Sequence, residues 1–237
     1  MRKTIYRSEE RGFSNHGWLK TYHTFSFANY YDENRMRFGN LRVLNDHFVD
    51  PDTGFGRHPH DNIEIIAIPL TGTLAHTDER GNEQKAAKGE VQAVTAGTGI
   101  SFRDFNPSTD QTLNFLQLWI LPDRLDVEPL FQQKQFDFPP DELVSLIRPD
   151  GRRGCLAIRQ EAYLHLGHFS EGRDLQYEAA DPENGVFVFL IDGRVDVGGV
   201  TLHARDAIGL ERTLEVGIHF VQDTELLIVE IPLERSF

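Results

Sequence analysis

Long amphipathic helices are hard to find in this chain. What it carries instead are short apolar runs, "EIIAIPL", "EVQAVTAG", "NFLQLWILP", "GVFVFLIDG" and "ELLIVEIPL", set apart by Gly, Asp, Asn and Pro. Runs of that length bounded by turn residues predict an antiparallel β sandwich or barrel. Many are apolar on both parities, so both faces of those strands are expected to be covered, as in a barrel whose outer face meets a second sheet. At 237 residues the chain can bury a core of that size without covalent staples.

An internal repeat sharpens the expectation. From Gly72 the chain reads "GTLAHTDERGNEQKAAKGEVQAVTAG" and later "LNFLQLWILP"; from Gly193 it reads "GRVDVGGVTLHARDAIGLER" and then "TELLIVEIPL". Each half runs from a glycine through strand, turn, strand and small-residue turn to a last apolar strand ending in Ile-x-Pro or Ile-Pro. A duplicated β unit accounts for this. The proline-containing stretch between the halves reads as a connector, with "PPDELVSLI" placed to form one or two helical turns beginning near Asp141. Residues 1–135 are therefore assigned to an N-terminal barrel and 136–237 to a C-terminal one, with the boundary inside the connector and the second barrel's own strands starting near Cys155.

Composition narrows the function classes. The single cysteine, Cys155, excludes an intramolecular disulfide framework and a Cys-rich zinc site, which suits a reducing, cytoplasmic setting. No signal-like segment opens the chain, and no run reaches the roughly 18 apolar residues of a membrane helix. Against 24 Lys and Arg stand 37 Asp and Glu, a formal charge of -13, with no basic cluster; direct nucleic-acid binding is not expected. A monomer is the default, because two repeats can cover each other's apolar faces within one chain.

The segment "GFGRHPHDNIEII" carries the candidate chemistry. Alternation along a strand puts His58, His60 and Glu64 on one parity, able to face one way if no bulge intervenes. Two imidazoles two positions apart can reach a common ion; neutral imidazole suits Zn, Cu, Fe and Ni, and an added carboxylate tilts the choice toward Fe or Mn. An H-x-H is also found among ordinary surface and core histidines, so the pair alone does not decide.

The stretches "NHGWLKTYHTFSFANYYD", "LRVLNDHFVDPDTGFGRHPHDNIEIIAIPLTGTLAHTDERGN", "GEVQAVTAGTGISFRDFNPS" and "LLIVEIPL" together resemble the pirin family of bicupins. The resemblance implies an all-β fold of two packed cupin barrels with one divalent transition metal, usually iron, in the N-terminal one. In several members it also implies a dioxygenase activity on flavonols such as quercetin; other members are regulatory binding partners. His58 and His60 stand at the family's first two ligands. After "TAGTGI" the family usually has a histidine and, two residues on, a glutamate; here "SFRDF" puts Phe102 and Asp104 there.

Two readings follow. In the first, His58, His60 and Asp104 hold Fe(II), Asp104 or Glu64 takes a proton from a small aromatic substrate, and Phe102 is a pocket wall. In the second, the protein binds metal weakly or not at all and is a ligand-binding or protein-interaction module. Glu64 is the candidate substitute ligand, placed to rotate in for the one that is missing. His76 is expected to hydrogen-bond Asp78 or a backbone group, and His16, His23 and His47 to serve turns and the surface. His165, His168, His203 and His219 show no ligand spacing, so the second barrel is expected to be structural.

Overall fold

The computed structural model describes residues 2–234; Met1 and residues 235–237, the ends of the two expected barrels, lie outside it. Its first strands are β1 (Arg2–Tyr6), β2 (Gly12–Asn15), β3 (Leu19–His23), β4 (Leu41–Val49), β5 (His58–His60), β6 (Glu64–Thr71), β7 (Thr73–Thr77) and β8 (Glu83–Ala87). Next come β9 (Glu90–Thr95), β10 (Ile100–Phe105), β11 (Leu113–Ile120), β12 (Leu130–Gln135), β13 (Glu142–Arg148), β14 (Leu156–Ala157), β15 (Tyr163–Phe169) and β16 (Asp174–Glu178). The last are β17 (Asn184–Asp192), β18 (Arg194–Val197), β19 (Val200–His203), β20 (Ala207–Glu211), β21 (Glu215–Phe220) and β22 (Thr224–Pro232). Among the described residues the helices are two single turns, Ser8–Glu10 and Arg152–Gly154.

The repeat seen in the sequence is a repeat in space. One barrel pairs a seven-stranded sheet, β12-β9-β6-β11-β4-β3-β2, with a four-stranded one, β5-β10-β7-β8; the other pairs β1-β20-β17-β22-β15-β13-β14 with β16-β21-β18-β19. The orders match place for place. Gly72 and Gly193 occupy the same turn in the two halves, with φ of 80° and 92°, a backbone region open to glycine at no steric cost.

Two expectations are corrected. "PPDELVSLI" is not helical: Glu142–Arg148 pairs with β15, and Leu146 and Ile147 are buried in the core, so tertiary pairing overrides a local helix signal. The first residues do not join the N-terminal barrel either. β1 pairs with β20 across the whole of Arg2–Tyr6, taking in the C-terminal sheet the edge place that β12 takes in the other.

The two seven-stranded sheets pack face to face, which is why their strands are apolar on both parities. Leu44, Ile66 and Leu116 from one sheet and Leu164, Phe187 and Val229 from the other share one buried cluster. Phe187 is its hub, with ring centroids 5.3 Å from Tyr6, 5.7 Å from Phe25 and 5.3 Å from Phe38. Truncating such a ring to Ala costs about 3–5 kcal/mol. Beside this cluster, buried Asp46 of β4 takes Arg11 and Arg205, each at 3.3 Å, and the Asn114 amide at 2.7 Å, tying the chain start and the second barrel to the first.

Candidate functional site

The interior of the N-terminal barrel lies between its two sheets, and β5 and β10 form its rim. Phe102 pairs in register with His58, and Ile100 with His60. Asp104 pairs with His76 of β7. Phe102 and Asp104, two apart, therefore both point inward, as alternation requires, and both are buried.

Phe102 is 1% exposed and sits among imidazoles. Its ring centroid is 4.9 Å from that of His60, near-parallel at 24°, 4.5 Å from that of His76 and 5.7 Å from that of His58. Trp119 meets His60 edge-on at 5.2 Å and Phe131 stacks on His76 at 4.5 Å. Ile63, Ile65, Val94 and Ala96 complete the packing. The cup is filled by rings.

The polar groups are held apart by that filling. His58 and His60 are together, 4.5 Å between centroids, and the His58 Nδ1–H donates to the carbonyl of Gly56 at 2.7 Å, leaving Nε2 free. Burial, and then the neighbouring His58, lower the His60 pKa to about 4, so its imidazole is neutral at pH 7. Asp104 is committed elsewhere: its Oδ1 accepts from His76 Nδ1 at 3.0 Å, and His76 Nε2 is buried without a partner. His76 thus bonds Asp104, where Asp78 or a backbone group was expected. Its role was legible only in the pairing of β7 with β10, which spacing along the chain does not reveal.

Glu64 is not in the cup. Asn62, with φ of 46°, breaks the strand after His60, so β5 and β6 enter different sheets and the shared parity is lost. Glu64 turns to the seam between barrels, 1% exposed, where the Thr95 hydroxyl donates to it at 2.7 Å and the Arg159 backbone N–H also bonds it. Burial raises its pKa to about 7. It is therefore withdrawn as a substitute ligand.

His23 and His47, expected near the surface, are interior residues of β3 and β4. His47 shares a hydrogen bond with Thr21 at 2.8 Å and His23 one with Asn45 at 2.8 Å. Burial drives the His47 pKa down to about 3. His47 Nε2 and Asn45 Nδ2 are unpartnered, so the barrel has a polar layer under its ring-lined cup. The second barrel repeats part of it: on β13 and β15, which match β3 and β4, Ser145 pairs in register with His165, the Ser145 hydroxyl is unpartnered and burial lowers the His165 pKa to about 4, whereas on β16 and β21, which match β5 and β10, Leu175, Tyr177, Val216, Ile218 and Phe220 pack into an apolar cluster.

The metal that the resemblance implies does not fit the donors as they stand. Among the described residues no group of three or more His, Cys, Asp or Glu is placed to hold a metal ion. Phe102 stands where the resemblance implies a third ligand, and Asp104, where it implies a fourth, is bonded to His76. Each absent ligand weakens a site whose donor distances tolerate only a few tenths of an ångström.

Comparison with known proteins bears on the same residues. A family model described as Pirin matches residues 6–120, and one described as a quercetinase C-terminal cupin domain matches 143–231. A protein named quercetin 2,3-dioxygenase from Escherichia coli strain K12 is 36% identical over 228 residues, 96% of this chain and 98% of that protein. A pirin-like protein from Caulobacter vibrioides is 35% identical over 229 residues, 94% of this chain and 96% of its own length. Among solved structures, the bacterial pirin YhhW of Escherichia coli in complex with nickel(II) superposes with a TM-score of 0.93 at 35% identity, covering 98% of this chain and 99% of that one. Among the described residues, no helix is long and apolar enough to cross a membrane.

Proposed function

Since the chain belongs to the pirin family, we propose that it is a binding member of that family, recognising a small aromatic ligand or a protein partner through its N-terminal barrel without metal-supported oxygenation. One observation carries this reading: the buried ring of Phe102 lies flat on His60 and against His76, filling the cup beside the histidine pair. A phenyl group donates nothing to a metal, and moving it off costs the burial of a whole aromatic side chain. The relative named quercetin 2,3-dioxygenase makes planar phenolic molecules the first ligands to try.

The His58–His60 pair favours a second reading. Its rings are in contact and His58 has its Nε2 free, so an Asp104 released from His76 would complete two histidines and one carboxylate, the Fe(II) type of ligand set. The two readings separate on metal content, measured by elemental mass spectrometry on protein purified without chelator or a nickel column, then repeated after anaerobic Fe(II) loading. Metal well below one equivalent in both samples is the expected result. One equivalent, lost in His60→Ala, overturns it and calls for oxygen-uptake assays with quercetin.

A further inference from the structure

Along β10, Arg103 and Phe105 point away from the cup that Phe102 and Asp104 enter. On that outer face of the four-stranded sheet lies a cleft of about 740 Å³, walled by Trp18, by the 52–57 segment with Phe55 and Arg57, and floored by Thr77, Arg103 and Phe105. The segment is laid onto the sheet by the Phe55 N–H, which donates to the carbonyl of Asp104 at 2.8 Å, and by a bridge between Gly54 and Phe105.

Three features of this cleft suit a ligand. Its two guanidinium groups have no carboxylate partner among the described residues, although the chain carries 37 Asp and Glu against 24 Lys and Arg. Arg57 is pinned by the carbonyls of Ser101 at 3.2 Å and Asp78 at 2.7 Å, and Arg103 lies 5.7 Å from the centre of the Phe105 ring. Three half-buried aromatic rings, Trp18, Phe55 and Phe105, share one concavity, the first two edge to face at 5.5 Å. The hydroxyl of Thr77, a residue only 6% exposed, has no hydrogen-bond partner.

We propose that this cleft binds a planar aromatic carboxylate. A guanidinium fork matches a carboxylate in shape and charge, and ring faces take a flat ligand; the Thr77 hydroxyl is a third polar contact. A polyanion is disfavoured by the overall charge of -13 and by the acids at the cleft edge, Asp52 and Glu83, the latter 3.3 Å from Lys85. A monoanion meets two arginines at a small penalty from those acids. This deepens the binding reading by naming a site and a ligand class. It rests on that reading only in locating function on the N-terminal barrel, since metal in the cup would overturn the one and leave the cleft as it is.

The test is an amide NMR titration of the intact protein in the presence of chelator, with benzoate and 4-hydroxybenzoate as probes and benzamide and acetate as controls. Saturable shifts confined to residues 52–57, 77 and 103–105 are expected, with benzamide and acetate each weaker by about tenfold or more. Arg103→Gln removes an exposed side chain that makes no hydrogen bond among the described residues and is expected to weaken benzoate about tenfold. Shifts that stay linear to about 10 mM, shifts centred elsewhere, equal affinity for benzamide, or an Arg103→Gln protein that binds as well as the parent each overturn the proposal. The ligand-side comparison needs no variant to fold.

Discussion

Phe102→His combined with Asp104→Glu is the perturbation that bears most directly on the cup. In the metal-free variant an imidazole replaces a phenyl ring that is 1% exposed and packed against three imidazoles, trading apolar burial for two ring nitrogens to be desolvated. A cost of about 3 kcal/mol is expected. For a chain of this length that is a fall of about 6–12 °C in Tm. Glutamate reaches about 1.5 Å further than aspartate, enough to leave His76, now 3.0 Å away, and meet an ion held by three histidines.

Metal then restores what the substitutions remove. At a free concentration one hundred times its Kd an ion adds about 2.7 kcal/mol, recovering most of the lost Tm, whereas the parent protein, whose donors do not converge, shows no shift. Asp104→Glu alone is expected to bind no metal, because Phe102 still fills the space. Calorimetry with and without Ni(II) or Fe(II), with metal counted by mass spectrometry, reads each term. A folded double variant with neither a metal-dependent Tm nor bound metal would show that the register opposite His58 is not the ligand register, and a parent protein that shifts as much would refute the filled-cup argument.

Glu64 makes stability fall with pH: its folded pKa is raised from 4.5 to about 7, so its contribution is complete below about pH 4.5 and lost as pH rises through 7, about 3 kcal/mol in all. Glu64→Gln is expected to flatten that slope in urea midpoints taken from pH 5 to 8, and an unchanged slope would assign it to another group. Glu230 is buried and accepts from the Tyr177 hydroxyl, the Asn184 amide and the backbone N–H groups of Ala180 and Asp181. Glu230→Ala strands four donors, so hydrogen exchange across residues 177–184 should speed up while the N-terminal barrel stays protected; uniform exchange would contradict a local lock. Asp46→Ala leaves Arg11 and Arg205 facing each other in the seam, for a loss of about 3–5 kcal/mol in urea unfolding; a loss under about 1 kcal/mol would mean that water already screens that cluster.

How far the sequence could be read depended on the distance over which its signals act. Both barrels were legible because their signals are local: apolar runs, turn glycines at 72 and 193, and a second copy of the same order. The inward pair Phe102 and Asp104 was legible because alternation holds within one uninterrupted strand. Glu64 was misplaced because a single left-handed residue, Asn62, resets that alternation, and an asparagine tolerates the conformation without announcing it. β1 and the His76–Asp104 contact escaped for a different reason. Each depends on which strand lies beside which, and pairing partners far apart in sequence leave no periodic trace.

The two barrels differ in how their interiors are filled. Their sheets have the same strand order, and the second sets an apolar cluster on β16 and β21 beside Ser145, His165 and the Glu230 group as its inner polar members. The first keeps His23, Asn45, His47, His60, His76 and Asp104 inside, and leaves His47 Nε2, His76 Nε2 and Asn45 Nδ2 without partners. Each buried and unsatisfied polar group costs on the order of 1–3 kcal/mol. The second barrel carries such groups as well, at Ser145 Oγ and Arg194 Nε, so what sets the first apart is its four buried histidines, His23, His47, His60 and His76. At Phe102, where the family resemblance implies a metal ligand, the first barrel has an apolar side chain, as the second has at the matching Val216, while the layer beneath it remains polar.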